Sequence, residues 1–315
     1  MNNRVFAAGC LGLGLLAAAV PLHTSAGIRG GAGPHPADSV PGQDERLSAR
    51  ARAQLAEARR ATEALRTPEA AMAAGYALMF GNVPLQGEHY VRIDLVQAGR
   101  FDVRRPSVLM FAAVAGKPTL VGVAYAILHP SGAPMPDGFD GTADEWHAHD
   151  DLADVPGKRL VMTHAWFASS PEGAFARYNP ALPFLAAGMT PPSAPELRDP
   201  ARADRVRRLG RALALAGELP PELAALERSA PGELLGRLQA HREGIRALVP
   251  RLREAEAAGD EAHYAHLVAE AVGHSEAMIA LYREAAPHAG ARRDLDRVLA
   301  QFLAGEHHAH GDHAH

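Results

Sequence analysis

Cysteine is nearly absent from this chain of 315 residues. The single cysteine, Cys10, lies in an apolar segment at the amino terminus. If that segment is removed, the mature chain can form neither a disulfide nor a thiolate metal site. Any metal that it binds must then use imidazole and carboxylate groups, which suit zinc, copper, nickel or iron better than copper(I).

Several catalytic and binding signatures are missing as well. The sequence has no Gly-x-Ser-x-Gly elbow, no phosphate-binding loop, no dinucleotide-binding glycine motif after a strand and no His-Glu-x-x-His. These absences exclude the corresponding hydrolase, nucleotide-binding and metalloprotease sites. The formal net charge is −4 and no arginine-rich stretch is interleaved with aromatic residues, so nucleic acid is not an expected partner. Nothing in the sequence identifies a protein partner.

The amino terminus predicts an export signal over residues 1–26. Arg4 is followed by an almost uninterrupted apolar run over residues 5–22, and small residues precede Gly27. The run is short for a bilayer span and no anchoring charges follow it, so we expect no stable membrane insertion after cleavage. Lipidation of Cys10 is the alternative left open. The sequence therefore predicts a periplasmic or secreted protein.

Changes of pattern divide the rest of the chain. Residues 27–43 are rich in glycine and proline and predict a flexible linker. Residues 44–195 predict a helical pair followed by a sheet domain, with Thr67 and Pro68 starting the second helix. Residues 196–304 predict four or five helices, with breaks near Gly217–Pro220, Ala230–Gly232, Gly259 and Pro287–Gly290. The expected class is α+β with a mainly antiparallel sheet, ending in a disordered tail over residues 305–315.

Three stretches of the sheet domain alternate with a period of two. They are Glu88–Val96, Thr119–His129 and Arg159–Phe167. The apolar face predicted for the first stretch carries His89, Val91, Ile93 and Leu95. The face predicted for the second carries Val121, Val123, Tyr125, Ile127 and His129, and that for the third carries Leu160, Met162, His164 and Trp166. Each predicted strand thus places one histidine on its apolar side, although His129 precedes Pro130 and is expected to end its strand.

Five ordered motifs resemble those of a family of secreted bacterial proteins without an assigned activity. The motifs are Thr67-Pro68 with Ala74-Gly75-Tyr76, Gly87-Glu88-His89-Tyr90-Val91, Leu120-Val121-Gly122-Val123-Ala124-Tyr125, His164-Ala165-Trp166, and Pro171–Ala176 with Asn179-Pro180. The resemblance covers residues 67–182. Where the family has Asn, Glu and Leu, this chain has Arg92, Ala124 and Thr163. The resemblance implies a domain boundary and two histidines, His89 and His164, but no reaction.

A His-x-His pair in the loop between the second and third stretches is the first candidate metal site. His147 and His149 can present two imidazoles on the same side of an extended segment. Acidic residues surround the pair: Asp144, Glu145, Asp150 and Asp151. Gly141 followed by the pair also matches the opening of the first cupin motif, but Asp154 replaces the expected Glu. Solvated loop histidines are the competing interpretation.

His89 and His164 are the expected third and fourth ligands. A neutral imidazole on an apolar face needs a hydrogen-bond partner or a metal. Taken singly, each is better explained as a core histidine bonded to a carbonyl group, and it is the convergence of four histidines in one domain that favours a metal. In the helical region, His263, His266, Glu270 and His274 lie near one helix face, where a solvated face is the favoured interpretation and metal binding the alternative.

The carboxyl terminus is rich in histidine. The histidines of the last nine residues are His307, His308, His310, His313 and His315. They predict a flexible chelator whose affinity falls as the imidazoles are protonated below about pH 6.5. Three functions stay open: an exported protein that buffers, carries or senses zinc, copper or nickel; a metal-dependent envelope enzyme of cupin-like or hydrolytic type; and a structural module with incidental histidines.

Overall fold

The computed structural model describes residues 47–141, 146–149, 152, 155–289 and 292–303. It contains about 52% helix and 19% strand, with a curled antiparallel sheet and helices at both ends. The expected α+β class is confirmed. No helix in the described ranges combines the length and apolar character needed to cross a bilayer.

The predicted helical pair is present. Helix α1 spans Ala49–Ala61 and α2 spans Pro68–Ala73, with a short 3₁₀ turn at Glu63–Leu65 between them. The Thr67 hydroxyl accepts a hydrogen bond from the backbone N–H of Ala70 at 3.2 Å, as expected for an N-cap. The apolar side of α1 is buried against one face of the sheet.

Six strands form one antiparallel sheet. They are β1 (Ala77–Val83), β2 (Gly87–Val91), β3 (Val108–Val114), β4 (Lys117–Pro130), β5 (His147–His149) and β6 (Lys158–Trp166). Their order across the sheet is β1-β2-β3-β4-β6-β5. The sequence alternation identified β2, β4 and β6, whereas β1 and β3 were not predicted and β5 lies in a stretch that was expected to be a loop.

One predicted strand is too long. The alternation predicts a strand that continues to Val96. The chain instead leaves the sheet after Val91 and forms helix α3 over Ile93–Ala98. Leu95 and Val96 are both buried in this helix. Gly99, in the left-handed conformation with φ of 65°, ends the helix.

A β-bulge in β4 divides the apolar face that was predicted for this strand. Pairing passes from Met110 opposite Gly122 to Phe111 opposite Leu120, so Val121 is an extra residue. Val121 packs on one side of the sheet, whereas Val123 and Tyr125 of the predicted face pack on the other side. The side of β4 that shares a face with His164 is instead formed by small residues, namely Gly122, Ala124 and Ala126.

The sheet separates two apolar clusters. The outer face carries Tyr90, Phe111 and Tyr125. These residues pack in one cluster with α1 and with Phe139 and Phe175. The inner face contains Val108, Met110, Met162 and Trp166 and is covered in part by Leu182. Leu182 begins the short helix α4 (Leu182–Ala186), whose Leu185 carbonyl accepts the Ala115 N–H at 2.9 Å.

A helical region follows. Its helices are α5 (Ala194–Arg198), α6 (Pro200–Ala216), α7 (Pro221–Ser229), α8 (Gly232–Ala258), α9 (Glu261–Ala289) and α10 (Arg292–Leu303). The predicted breaks near Gly217, Ala230, Gly259 and Pro287–Gly290 all coincide with helix ends, although Pro287 itself still lies within α9. Pro287 lies in the last turn of α9, where it removes one backbone hydrogen bond near the end of the helix without interrupting it. Six helices, rather than four or five, result.

Candidate functional site

The sheet carries four histidines on its inner face. His89 lies on β2, His164 on β6, and His147 and His149 on the edge strand β5. In the register, His147 is opposite Met162 and His149 is opposite Leu160. Both partners are an even number of residues from His164, so the three imidazoles of β5 and β6 lie on one face.

Curvature of the sheet brings His89 to this group. Two strands, β3 and β4, lie between β2 and β6. In a flat sheet the two outer strands would be about 14 Å apart, three times the usual spacing of about 4.8 Å. The ring centroids of His89 and His164 are nevertheless only 6.5 Å apart. The inner face is therefore concave.

The four rings form a continuous group, which we call the histidine cluster (His89, His147, His149 and His164). The ring centroids of His147 and His149 are 4.8 Å apart, and those of His147 and His164 are 5.2 Å apart. His164 also stacks on Trp166 at 5.9 Å with an interplanar angle of 16°. The structure thus brings together the residues that the sequence proposed as four ligands.

His164 is the centre of the cluster and has an unusual environment. Its side chain has no solvent exposure. Neither of its ring nitrogens has a hydrogen-bond partner among the described residues. Leaving a buried polar group without a partner costs about 1–3 kcal/mol, so this arrangement needs an explanation.

His89 is held in a defined orientation. Its ring is 4% exposed, and Nδ1 lies 3.1 Å from the carbonyl oxygen of Gly87. Because a carbonyl oxygen can only accept, Nδ1 carries the proton and Nε2 keeps its lone pair. Metal-binding histidines are commonly oriented by a bond of this type from the second ring nitrogen.

Burial keeps these imidazoles neutral. It lowers the pKa of His89 from 6.5 to about 4, with a further contribution from the positive form of His149, while the bond to Gly87 opposes the shift. The pKa of His164 is well below its ordinary value, chiefly because of burial and then because of the neighbouring His147 and other cationic groups. At neutral pH both rings are therefore in the form that binds metals.

Gly122 and Trp166, from two of the ordered sequence motifs, pack beside the cluster. A Cβ atom on Gly122 would lie 2.8 Å from Cε of Met110 and 3.1 Å from the Trp166 ring, so only glycine fits without a shift. The Trp166 indole N–H donates to the Ala176 carbonyl at 2.7 Å. The Asn179 side chain donates to the Ser169 carbonyl at 2.9 Å. These contacts fix the strand that carries His164.

The donor atoms do not yet converge on one point. Within the part of the chain that the structure describes, no group of three or more His, Cys, Asp or Glu side chains stands in an arrangement that could hold a metal ion. The acidic residues expected near the pair, Asp144, Glu145, Asp150 and Asp151, lie outside the described residues. The same is true of the predicted signal over residues 1–26 and the tail histidines His307, His308, His310, His313 and His315.

The helical histidines are arranged differently from the sequence pattern. His274 turns towards α8, where its Nδ1 lies 2.9 Å from Nδ1 of His241 and its ring covers Gly244. His263, His266 and Glu270 are exposed. The sequence did not predict the His241–His274 pair because the two residues lie on different helices, 33 positions apart.

Two methionines beside the cluster were also not recognised as functional candidates. Met110 is opposite His89 in the register, and Met162 is opposite His147. Met162 was placed on the His164 face by alternation. Met110 could not be placed because β3 was not predicted.

Comparison with known proteins gives no further assignment. No protein family matches the chain, and neither a curated protein nor a solved structure is significantly similar to it. The single six-stranded sheet of the described residues also differs from the eight-stranded, two-sheet jelly roll of cupins. The likeness of Gly141 and the His-x-His pair to a cupin motif therefore does not extend to the fold.

Proposed function

We propose that this protein is an exported metal-binding protein that buffers or carries a divalent transition-metal ion, zinc, copper or nickel. The ion binds at the histidine cluster formed by His89, His147, His149 and His164. The histidines of residues 307–315 form a second, weaker chelator. Export is supported by the signal-like sequence of residues 1–26.

The buried state of His164 is the observation that carries the proposal. Its two ring nitrogens have no hydrogen-bond partner among the described residues, while three other histidines surround or approach it. A metal ion accepts a nitrogen lone pair and thereby offsets the cost of burying the ring. An apolar side chain would fill the same position at lower cost, so a purely structural role does not account for imidazole here.

The spacing of the rings fits a metal centre after small movements. A ring nitrogen bound at about 2.0–2.1 Å places the ring centroids of two tetrahedral ligands about 5 Å apart. The separations of 4.8 Å and 5.2 Å around His147 are close to this value. The separation of 6.5 Å between His89 and His164 requires a small closure. Rotation of the rings about their Cβ–Cγ bonds would direct the nitrogens towards one point.

The difference in burial across the cluster suggests how an ion enters and leaves. His89 and His164 are buried, whereas His147 and His149 are half-buried on a three-residue edge strand. An ion therefore approaches from the β5 side, and the two buried imidazoles complete its coordination. Movement of a short edge strand is easier than movement of a central strand, which suits reversible binding.

A metal-dependent hydrolytic enzyme of the cell envelope is the second candidate. The half-exposed side of the cluster, at His147 and His149, is the observation that favours it. Ligand number separates the two functions. Four histidines around the ion indicate buffering or transport, whereas three histidines and an exchangeable water indicate catalysis.

Metal titration of full-length variants tests the proposal. In the first variant the five tail histidines are replaced by asparagine, and in the second His147→Ala and His149→Ala are added. We expect the first variant to retain one tight site for Zn²⁺ in competition with a chromophoric chelator. We expect the second to lose that site while its circular dichroism spectrum is unchanged, because only a short edge strand is altered.

The exposed helical histidines provide a matched control. His263→Ala and His266→Ala, introduced into the same tail-substituted chain, remove two imidazoles from α9 and should leave the tight site intact. Persistence of the tight site after loss of His147 and His149 would overturn the proposal. Intact mass measurement of the exported protein tests the signal, since material that retains residues 1–26 would contradict its cleavage.

A further inference from the structure

We propose that the histidine cluster is a copper site, in which the thioethers of Met110 and Met162 give copper, and Cu(I) in particular, preference over zinc. This inference rests on the proposed metal-binding function and adds the identity of the metal. The lack of cysteine after residue 10 favours divalent ions over Cu(I) when the sequence is considered alone. The tertiary structure adds two sulfur atoms to the set of available donors.

Met110 lies on β3, beside the strand that carries His89. It is fully buried, and it is opposite His89 in the register of β2 and β3. Its methyl group stands over Gly122, next to the Trp166 ring that stacks on His164. The absence of a side chain at Gly122 creates the space that this thioether occupies.

Met162 lies on the other side of His164. It precedes His164 by two residues on β6 and therefore shares its face. It is opposite His147 in the register of β5 and β6, and it is 6% exposed. Each methionine is thus a direct strand neighbour of one histidine of the cluster.

The chemistry of this face favours a soft metal ion. Thioether sulfur binds Cu(I) well and contributes little to a zinc or nickel site, whereas neutral imidazole accepts copper in either oxidation state. Glu88 is the only carboxylate in the six described strands. It pairs with Phe111, which packs on the outer face of the sheet. The inner face therefore offers nitrogen and sulfur donors without a strand carboxylate.

Substitution of both methionines by leucine tests the inference. Met110→Leu and Met162→Leu are introduced into the full-length chain in which the five tail histidines are asparagine. Leucine keeps the apolar volume, so the fold should be retained at a cost of less than about 1.5 kcal/mol for each change. Cu(I) affinity is measured by competition with bathocuproine disulfonate, and Zn²⁺ affinity by competition with a zinc chelator.

We expect Cu(I) affinity to fall at least about tenfold while Zn²⁺ affinity stays within about twofold, since the lost donors are soft. Met278→Leu is the matched control, because Met278 is a fully buried methionine in the helical core. X-ray absorption of the copper-loaded protein gives an independent measurement. A sulfur scatterer should be present before the double substitution and absent after it.

Unchanged Cu(I) affinity and no sulfur scatterer would overturn the copper assignment, as would an equal loss in the Met278→Leu control. In that case histidine-dependent Zn²⁺ binding would still support the proposed function. If neither metal binds tightly, or if binding does not depend on His147 and His149, the proposed function itself fails.

Discussion

The metal-free protein should lose stability in mildly acidic solution because of its buried histidines. The perturbation is a decrease from about pH 7 to about pH 5, below the ordinary pKa of histidine but above the lowered pKa of His89. In this range the unfolded chain binds a proton that the folded protein excludes. Stability is therefore fully present above the unfolded pKa of 6.5 and falls as the pH decreases towards about 4.

The magnitude follows from the shift for His89. Lowering its pKa from 6.5 to about 4 corresponds to about 3 kcal/mol once the pH is below both values. Between about pH 7 and about pH 5 the loss is about 2 kcal/mol. The pKa of His164 is shifted in the same direction, so the whole protein should lose more than the contribution of His89 alone.

Urea unfolding in the presence of a chelator measures this effect. The free energy of unfolding is determined at both pH values for the wild-type protein, for His89→Leu and for the exposed control His263→Asn. Leucine removes the titrating ring but keeps a side chain of similar size. We expect the difference between the two pH values to shrink by about 2 kcal/mol in His89→Leu. The control should keep the wild-type difference.

If the difference in unfolding free energy between the two pH values is unchanged in His89→Leu, the explanation is wrong. That result would mean that His89 takes up its proton equally in the folded and unfolded states. A uniform loss of stability at both pH values does not bear on the titration. It would report only the lost hydrogen bond to the Gly87 carbonyl.

Three other changes test separate parts of the structure. Gly122→Ala would place Cβ 2.8 Å from Cε of Met110. This overpacking should lower the free energy of unfolding, measured with urea, by about 1–3 kcal/mol. Unaltered stability would contradict the close packing. Tyr282→Phe removes a 2.6 Å hydrogen bond to Glu227 in the helical core. The free energy of unfolding should fall by about 1.5–3 kcal/mol because the acceptor is charged. A thermal midpoint equal to that of wild type would argue against this bond. Replacing the tail histidines of residues 307–315 by asparagine should lower the number of weakly bound metal ions in titration calorimetry without altering circular dichroism. An unchanged stoichiometry would show that the tail is not a chelator.

Local sequence signals were sufficient to predict several individual elements and the side on which single residues lie. Thr67 and Pro68 define the start of α2 because capping depends on neighbouring residues alone. Alternation placed His89 with Val91, and His164 with Met162 and Trp166, because successive strand residues must point to opposite faces. The helix breaks at Gly217 and Gly259 follow from backbone preferences in the same local way.

Which of these residues come into contact depends on the arrangement of the whole sheet. Alternation specifies a face, but it does not specify strand order, curvature or the position of a bulge. The extra residue at Val121 reverses the face predicted for part of β4, and the unpredicted strand β3 places Met110 beside His89. The 6.5 Å approach of His89 to His164 across two intervening strands depends on the curl of the whole sheet, which no local pattern encodes.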